Sequence, residues 1–146
     1  MPASTPSRTD AGLAGALRDA VGRLSRRMRA QRAVTDLSLG QLAALRTLDL
    51  HGPMTASELA AHEKVQPPSM TRIVAALESH GYLTRTPDPL DRRQVVVAAS
   101  PGGKAMLAEE RRRKDVWLSQ RLRALDADDL AVLAAAVPVL EKLSRA

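Results

Sequence analysis

The chain has 146 residues, a formal net charge of +6, no Cys or Phe, one Trp and one Tyr. This length suits one domain, or a small domain with a long dimerisation appendage. The absence of Cys excludes disulfides, thiolate metal sites and thiol-based redox sensing. The scarcity of aromatic side chains argues against stacking of single-stranded bases. The basic charge indicates a polyanionic partner, with nucleic acid favoured over a membrane surface.

The N-terminal segment is polar and rich in Pro and Ser, and we predict that residues 1–10 are disordered. No apolar signal core follows it, and no apolar run approaches the ~20 residues of a membrane span. We therefore expect a cytoplasmic protein with no membrane partner.

Apolar residues at helical spacing predict a first helix over residues 11–34. They are Leu13, Leu17, Val21, Leu24 and Met28, and arginines cover the other faces. A solvated helix face explains most of these arginines better than DNA contact does.

A second helix is expected to start from a cap at Asp36 or Ser38 and to stop at Gly52-Pro53. Met54-Thr55 then suits a very short strand that closes a small sheet.

Thr55 and Glu58 form the sequence pattern of a capping box, which predicts a short helix ending near Lys64. Pro67-Pro68 suits a turn and the first turn of the next helix. That next helix has one apolar stripe, and Gly81 is positioned to cap its C-terminus. The stripe consists of Met70, Ile73, Val74 and Leu77.

The opposite face of this fourth helix carries small, hydroxylated and cationic residues, as a helix that docks on duplex DNA needs. We expect Arg72 to contact a guanine edge, and Ser69 and Thr71 to bind phosphate or base near the helix N-terminus. Gln66 and Pro68 complete the predicted contact set on this helix. An ordinary solvated face is an equally good explanation when the helix is considered alone.

Two strands are predicted at Tyr82–Thr86 and Gln94–Ala98, joined by a charged turn. The turn places Arg92 and Arg93 at a protruding tip, where they cannot serve a core. We expect Arg93 in the minor groove, Arg92 along the phosphates, and Asp91 holding the loop. Arg85 on the first strand is a further predicted DNA contact.

After these two strands, Ser100–Gly103 has the composition of a hinge, and a helix is predicted from Lys104 to about Leu125. Its charged centre, Glu109 to Asp115, predicts solvent on most sides.

Asp126 begins the cap of a last helix, in which Pro138 should produce a kink. This last helix is apolar on two sides and needs a partner beyond its own chain. Residues 11–34 and 104–146 are therefore expected to form a dimerisation region, and residues 35–103 the DNA-binding domain.

No enzyme is expected. His51, His62 and His80 lack metal-ligand spacing, and Asp88 and Asp91 have no catalytic partner nearby. We expect no catalytic residue, no metal site and no cofactor.

The segment PPSMTRIVAALESHGYLTRTPDPLDRRQVVVAASPGG resembles the recognition helix and wing of the MarR family of bacterial transcription regulators. That wing has an Asp-Arg-Arg core, a valine-rich strand, a Thr or Ser, and a Gly. The chain supplies these in order as Asp91, Arg92, Arg93, Val95, Val97, Ser100 and Gly103. One departure is Ala98–Ser100, where the family usually has a Leu-Thr pair. The resemblance extends over nearly the whole chain.

The resemblance implies a mainly α fold with a small β wing, a winged helix-turn-helix with terminal dimerisation helices. It implies a repressor that is released by a small, often phenolic or carboxylated effector. A crevice between the DNA-binding lobe and the dimerisation helices is the expected site, with His51 and Trp117 as candidates. Each has a simpler explanation, as a helix end and as a packing residue.

Two hypotheses therefore stand. The first is a homodimeric, sequence-specific regulator that binds double-stranded DNA at an inverted repeat. The second is a winged-helix module that binds protein, because a fold alone does not set function.

Overall fold

The computed structural model describes residues 8–31 and 37–146. These residues form two compact units, one of residues 37–111 and one of residues 8–31 with 112–146. The helices and strands, in chain order, are α1 (Arg8–Arg29), α2 (Leu39–His51), β1 (Met54–Thr55), α3 (Ala56–Glu63), α4 (Pro67–Ser79), β2 (Leu83–Pro87), β3 (Val95–Ala99), α5 (Pro101–Arg123) and α6 (Ala127–Arg145).

Helix α2 begins at a full capping box. The Ser38 hydroxyl accepts from the Gln41 N–H, and the Gln41 side chain accepts from the Ser38 N–H. The predicted stop is confirmed, because Gly52 adopts φ 84° and its N–H donates to the Leu48 carbonyl. Asp36, the other predicted cap, lies outside the described residues.

Helices α3 and α4 show the predicted caps and turn, although of the capping box at Thr55 only one of the two bonds is present. The Thr55 hydroxyl accepts from the Glu58 N–H at 3.1 Å. Lys64 ends α3 in the left-handed conformation, and Pro67 occupies the first position of α4. Gly81 has φ 76° and donates to the Glu78 carbonyl, so the predicted glycine cap of α4 is confirmed.

The three strands form one antiparallel sheet in the order β1-β3-β2. Met54 pairs with Val97, which confirms the short closing strand, and Pro87 pairs with Val95 beside the wing loop. Both wing strands begin one residue later than predicted, because Tyr82 and Gln94 take part in turn hydrogen bonds.

One hydrophobic core joins α2, α3, α4, the sheet and the first part of α5. The stripe predicted for α4 faces it, with Met70, Val74 and Leu77 buried and Ile73 half-buried. Because this stripe is used by the core, the opposite face of α4 is left for other contacts.

The hinge predicted at Ser100–Gly103 is wrong, since α5 already begins at Pro101. The Ser100 hydroxyl donates to the Gly81 carbonyl at 2.6 Å and accepts from the Gly103 N–H at 3.0 Å. A Cβ atom at Gly103 would lie only 2.1 Å from the Tyr82 carbonyl oxygen. These glycines therefore permit close packing, and they do not loosen the chain.

Helix α1 starts at Arg8, so residues 8–10 are helical where disorder was predicted. The helix ends at Arg29 and a turn follows, five residues before the predicted end at residue 34. The predictions for residues 1–7 and 32–36 lie outside the described residues.

In α5 the charged centre is mostly exposed, as predicted, and within it Glu110 is buried. Helix α6 is capped by Asp126, whose side chain accepts from the Asp129 N–H at 2.8 Å. It continues through Pro138 as one helix, and the kink there stays a prediction.

The mainly α fold with a small β wing is confirmed. In the described ranges, no helix is both long and apolar enough to cross a membrane.

Candidate nucleic-acid interface

The outward face of α4 is small, polar and cationic. Ser69, Thr71, Arg72, Ala75 and Ser79 are all exposed, while the opposite side of the helix packs on the core. A helix that presents small and hydroxylated residues around an arginine can lie close to a groove wall and bond to phosphates or base edges.

The N-terminus of α4 offers fewer donors to an anion than most helices do. Gln66 is the N-cap and its side chain makes no capping bond. Pro67 and Pro68 have no N–H, and the Met70 N–H donates to the Gln66 carbonyl at 3.1 Å. Within the first turn, the Ser69 N–H is therefore the backbone donor that is left for a phosphate. The predicted contribution of the helix N-terminus to phosphate binding is reduced to this one N–H group.

Thr71 and Arg72 differ in how free their side chains are. The Thr71 hydroxyl donates to the Pro67 carbonyl at 3.0 Å, and a phosphate oxygen, which only accepts, would have to replace that bond. Arg72 is exposed and has no ion-pair partner among the described residues. Of the two, Arg72 is better placed to bind a base edge.

The wing loop is built from two successive Asx turns. The Leu90 N–H donates to Asp88 Oδ1 at 3.0 Å, and the Arg93 N–H donates to Asp91 Oδ1 at 3.1 Å. Backbone bonds between Asp88 and Gln94 and between Gln94 and Asp91 close the loop. The expectation that Asp91 holds the loop agrees with this geometry. Hydrogen bonds within the loop therefore define the backbone conformation of the tip.

The cations at this tip are held in solvent. The Arg93 side chain is 96% exposed, and its Nε lies 4.0 Å from Asp91 Oδ1. Arg92 is also exposed. An ion pair this exposed contributes little to folding stability, so these charges remain available to an anionic partner.

Arg85 has a partner that the sequence did not reveal. Its Nε donates to Glu78 Oε2 at 2.9 Å, which joins β2 to the end of α4. Both side chains are about two-fifths exposed. The pair joins β2 to α4, and only the other N–H groups of the Arg85 guanidinium are left for an anionic partner.

Sequence reasoning missed the roles of Asp88 and Glu78. The Asp-Pro-Leu and Asp-Arg-Arg triplets are both Asx-turn patterns, so the first role could have been found. The Glu78–Arg85 pair carries no comparable signal, because the two residues are seven apart and lie on different elements.

The two effector candidates lie in different units. His51 is exposed, with its ring centroid 5.2 Å from that of His62. Trp117 is buried, with the guanidinium of Arg27 5.5 Å from its ring centroid and that of Arg121 at 5.0 Å. Cation–π contacts on the ring support a packing role for Trp117.

Beside Trp117 there is a cleft of about 320 Å³ in the unit formed by α1, the second half of α5 and α6. It is lined by Gln31, Arg112, Arg113, Val116, Trp117 and Gln120. No group of three or more His, Asp or Glu side chains suited to a metal ion occurs in the described part of the chain.

Comparison with known proteins agrees with this architecture. The model of the MarR family matches residues 37–95. An uncharacterised HTH-type transcriptional regulator of Mycobacterium bovis is 42% identical, with 90% of this chain and 92% of that protein covered. The multiple antibiotic resistance protein MarR of Salmonella typhimurium is 31% identical, with 67% of this chain and 69% of that protein covered.

Solved structures extend the agreement to the fold. A Pseudomonas aeruginosa protein classed among transcriptional regulators superposes with a TM-score of 0.87 at 32% identity, covering 97% of this chain and 99% of that one. The relatives are transcription regulators, which are not enzymes. The exposed face of α4, the cationic wing and these matches lead to one conclusion: the chain belongs to the MarR family of DNA-binding transcription regulators.

Proposed function

We propose that this regulator binds duplex DNA as a homodimer at an inverted repeat, with α4 in the major groove and the wing over the minor groove. Arg72 reads a guanine edge, and Ser69 donates its backbone N–H to a phosphate. Arg93 enters the minor groove and Arg92 follows the phosphates. The wall of the major groove is contacted by Gln66, Pro68 and Thr71. Arg85, while paired with Glu78, adds a contact to a phosphate.

The observation that carries this proposal is the preorganised, exposed cationic wing tip. Two Asx turns hold Arg92 and Arg93 in solvent at the end of a short hairpin. A protein-binding module would gain little from such a tip, whereas a narrow minor groove attracts an inserted arginine strongly.

The first test is a salt titration of DNA binding, using the duplex that the wild-type protein enriches from a random pool. We expect steep loss of affinity with salt, and Arg93→Ala should reduce the slope by about one unit. Arg72→Ala should lower the preference for this duplex over random sequence by about 1–3 kcal/mol.

Arg18→Ala is the matched control, because it removes one exposed positive charge from α1. It should leave both the sequence preference and most of the slope intact. A flat salt dependence of the wild-type protein would instead favour the protein-binding alternative. An unchanged preference in Arg72→Ala would refute the role of Arg72.

We further propose that the protein is a repressor released by a small aromatic or phenolic acid. The cleft beside Trp117 supports this chemistry, because it combines an aromatic ring, arginine side chains and amides in a volume typical of small-molecule sites. The effector lowers DNA affinity only if it binds two conformations of the protein unequally.

The effector proposal is tested by Trp117 fluorescence and DNA release, followed together across a panel of aromatic acids and hydrophobic drugs. Because Trp117 is the single Trp, its emission reports on this cleft alone. We expect emission change and release at the same concentrations, and Gln120→Ala should weaken both. If no compound releases DNA from the folded protein, the effector proposal is wrong, and DNA occupancy is controlled by the abundance of the protein alone.

A further inference from the structure

The tip of the wing loop carries an apolar side chain as well as its cations. Leu90 is 97% exposed, more than any other large hydrophobic side chain in the part of the chain that the structure describes. Single exposed leucines are common on protein surfaces, so exposure alone does not identify a site. The placement of Leu90 does distinguish it, since it lies in the same wing loop as Arg92 and Arg93, in the Asx turn just before theirs.

The loop holds Leu90 in this position. Its N–H donates to Asp88 Oδ1 at 3.0 Å, and the preceding Pro89 restricts the backbone. The second Asx turn, from Asp91 to Arg93, follows at once. These bonds hold the backbone at Leu90 but leave its side chain free to rotate, so ordering the loop backbone on a partner has a small entropic cost.

We propose that Leu90 is an apolar wedge that enters the minor groove beside Arg93 and packs against a partly unstacked base step. The inference rests on the proposed function, in which the wing lies over that groove. Proteins that bind the minor groove combine cations with inserted apolar side chains, because the cation is attracted by the groove potential and the wedge replaces base stacking.

The wedge adds a sequence preference that Arg93 does not supply. An arginine is attracted by a narrow A·T groove, whereas a wedge favours steps that unstack easily, above all pyrimidine–purine steps. Leu90 thereby becomes a specificity-determining residue at the flank of each half-site, outside the bases read by α4.

The test compares Leu90→Ala, Leu90→Met and Leu50→Ala on the duplex that the wild-type protein enriches from a random pool. Leu50 is the matched control, an exposed leucine on α2 outside the wing and α4 (79% exposed). Leu90→Ala should bind about 10-fold more weakly with an unchanged salt slope. Leu90→Met and Leu50→Ala should bind like the wild type.

A second measurement separates a wedge from a general loss of contact. With 2-aminopurine placed at successive flanking positions, the wild-type protein should raise the emission at one step, and Leu90→Ala should abolish that rise. Wild-type affinity in Leu90→Ala, or a persistent rise, would overturn the wedge. If Arg93→Ala still reduces the salt slope, the wedge alone has failed. If the wild-type protein shows no salt-dependent binding, the proposed function has failed with it.

Discussion

At the scale of single residues, Gly103 shows how one backbone contact constrains the sequence. Its Cα lies against the Tyr82 carbonyl, and a Cβ there would come within 2.1 Å of that oxygen. The neighbouring Ser100 hydroxyl bonds both to the Gly81 carbonyl and to the Gly103 N–H. The segment after α4 is therefore packed tightly against the start of α5, and the atom that a Cβ at Gly103 would meet is a backbone carbonyl, which cannot move aside as a flexible side chain can.

Gly103→Ala should consequently destabilise the protein, although alanine is the better helix former. We expect a loss of about 1–3 kcal/mol in the free energy of unfolding, as for overpacking of a tight core. Gly40→Ala is the control, because a Cβ there meets its nearest atom at 3.9 Å and alanine should be neutral or stabilising. Urea unfolding of both variants measures the difference, and equal stability would contradict the contact.

At the scale of elements, the recognition helix and the wing are linked by one exposed ion pair. Arg85 on β2 donates to Glu78 near the end of α4 at 2.9 Å. An exposed pair of this kind contributes between zero and about 1 kcal/mol to folding. In the proposed complex with DNA its effect can be larger, because Glu78 orients Arg85 and would place a negative charge near the phosphates.

If Arg85 contacts phosphate, Arg85→Gln should reduce the slope of log affinity against log salt by about one unit. Glu78→Gln should strengthen binding to random duplex, since it removes a repelling charge and releases Arg85. The exposed pair of Arg145 with Glu141 on α6 is the matched control, and Arg145→Gln should change neither quantity. Weaker binding by Glu78→Gln would show instead that DNA binding depends on the ion pair between Glu78 and Arg85.

At the scale of the whole molecule, the described chain leaves apolar helix faces uncovered. No residue of α6 is buried, and Leu133, Val137 and Leu140 are between 42% and 54% exposed. On α1, Val21 and Leu24 are also exposed. Uncovered apolar helix faces of this kind are typical of protein–protein interfaces, which supports the proposed two-fold dimer.

Leu140→Glu should therefore dissociate the dimer, because the interface would have to bury an unpaired carboxylate. We expect the dimer dissociation constant to rise about 100-fold or more, equivalent to about 3 kcal/mol. Leu50→Glu, on α2, is the control and should sediment like the wild type. A wild-type monomer at micromolar concentration would refute the dimer itself.

The sequence by itself determined the features that depend on residues close together in the chain. Ser38, Thr55 and Gly81 act as caps as expected, since capping bonds span only three to five residues. The apolar stripe of α4 and the exposure of Arg93 follow from helical periodicity and from turn chemistry in the same local way. The helix-turn-helix, the wing and the candidate DNA-binding face could therefore be predicted.

The tertiary structure decided the contacts between residues that are distant in the chain and share no pattern. Gly103, which has the composition of a hinge residue, packs closely against the Tyr82 carbonyl. Glu110 is buried although it lies in the charged centre of α5. Arg85 forms an ion pair with Glu78, and the Trp117 ring makes a cation–π contact with Arg27. Composition marks such residues as flexible, charged or aromatic, but only packing determines which atoms they meet, because each contact depends on how whole elements are placed.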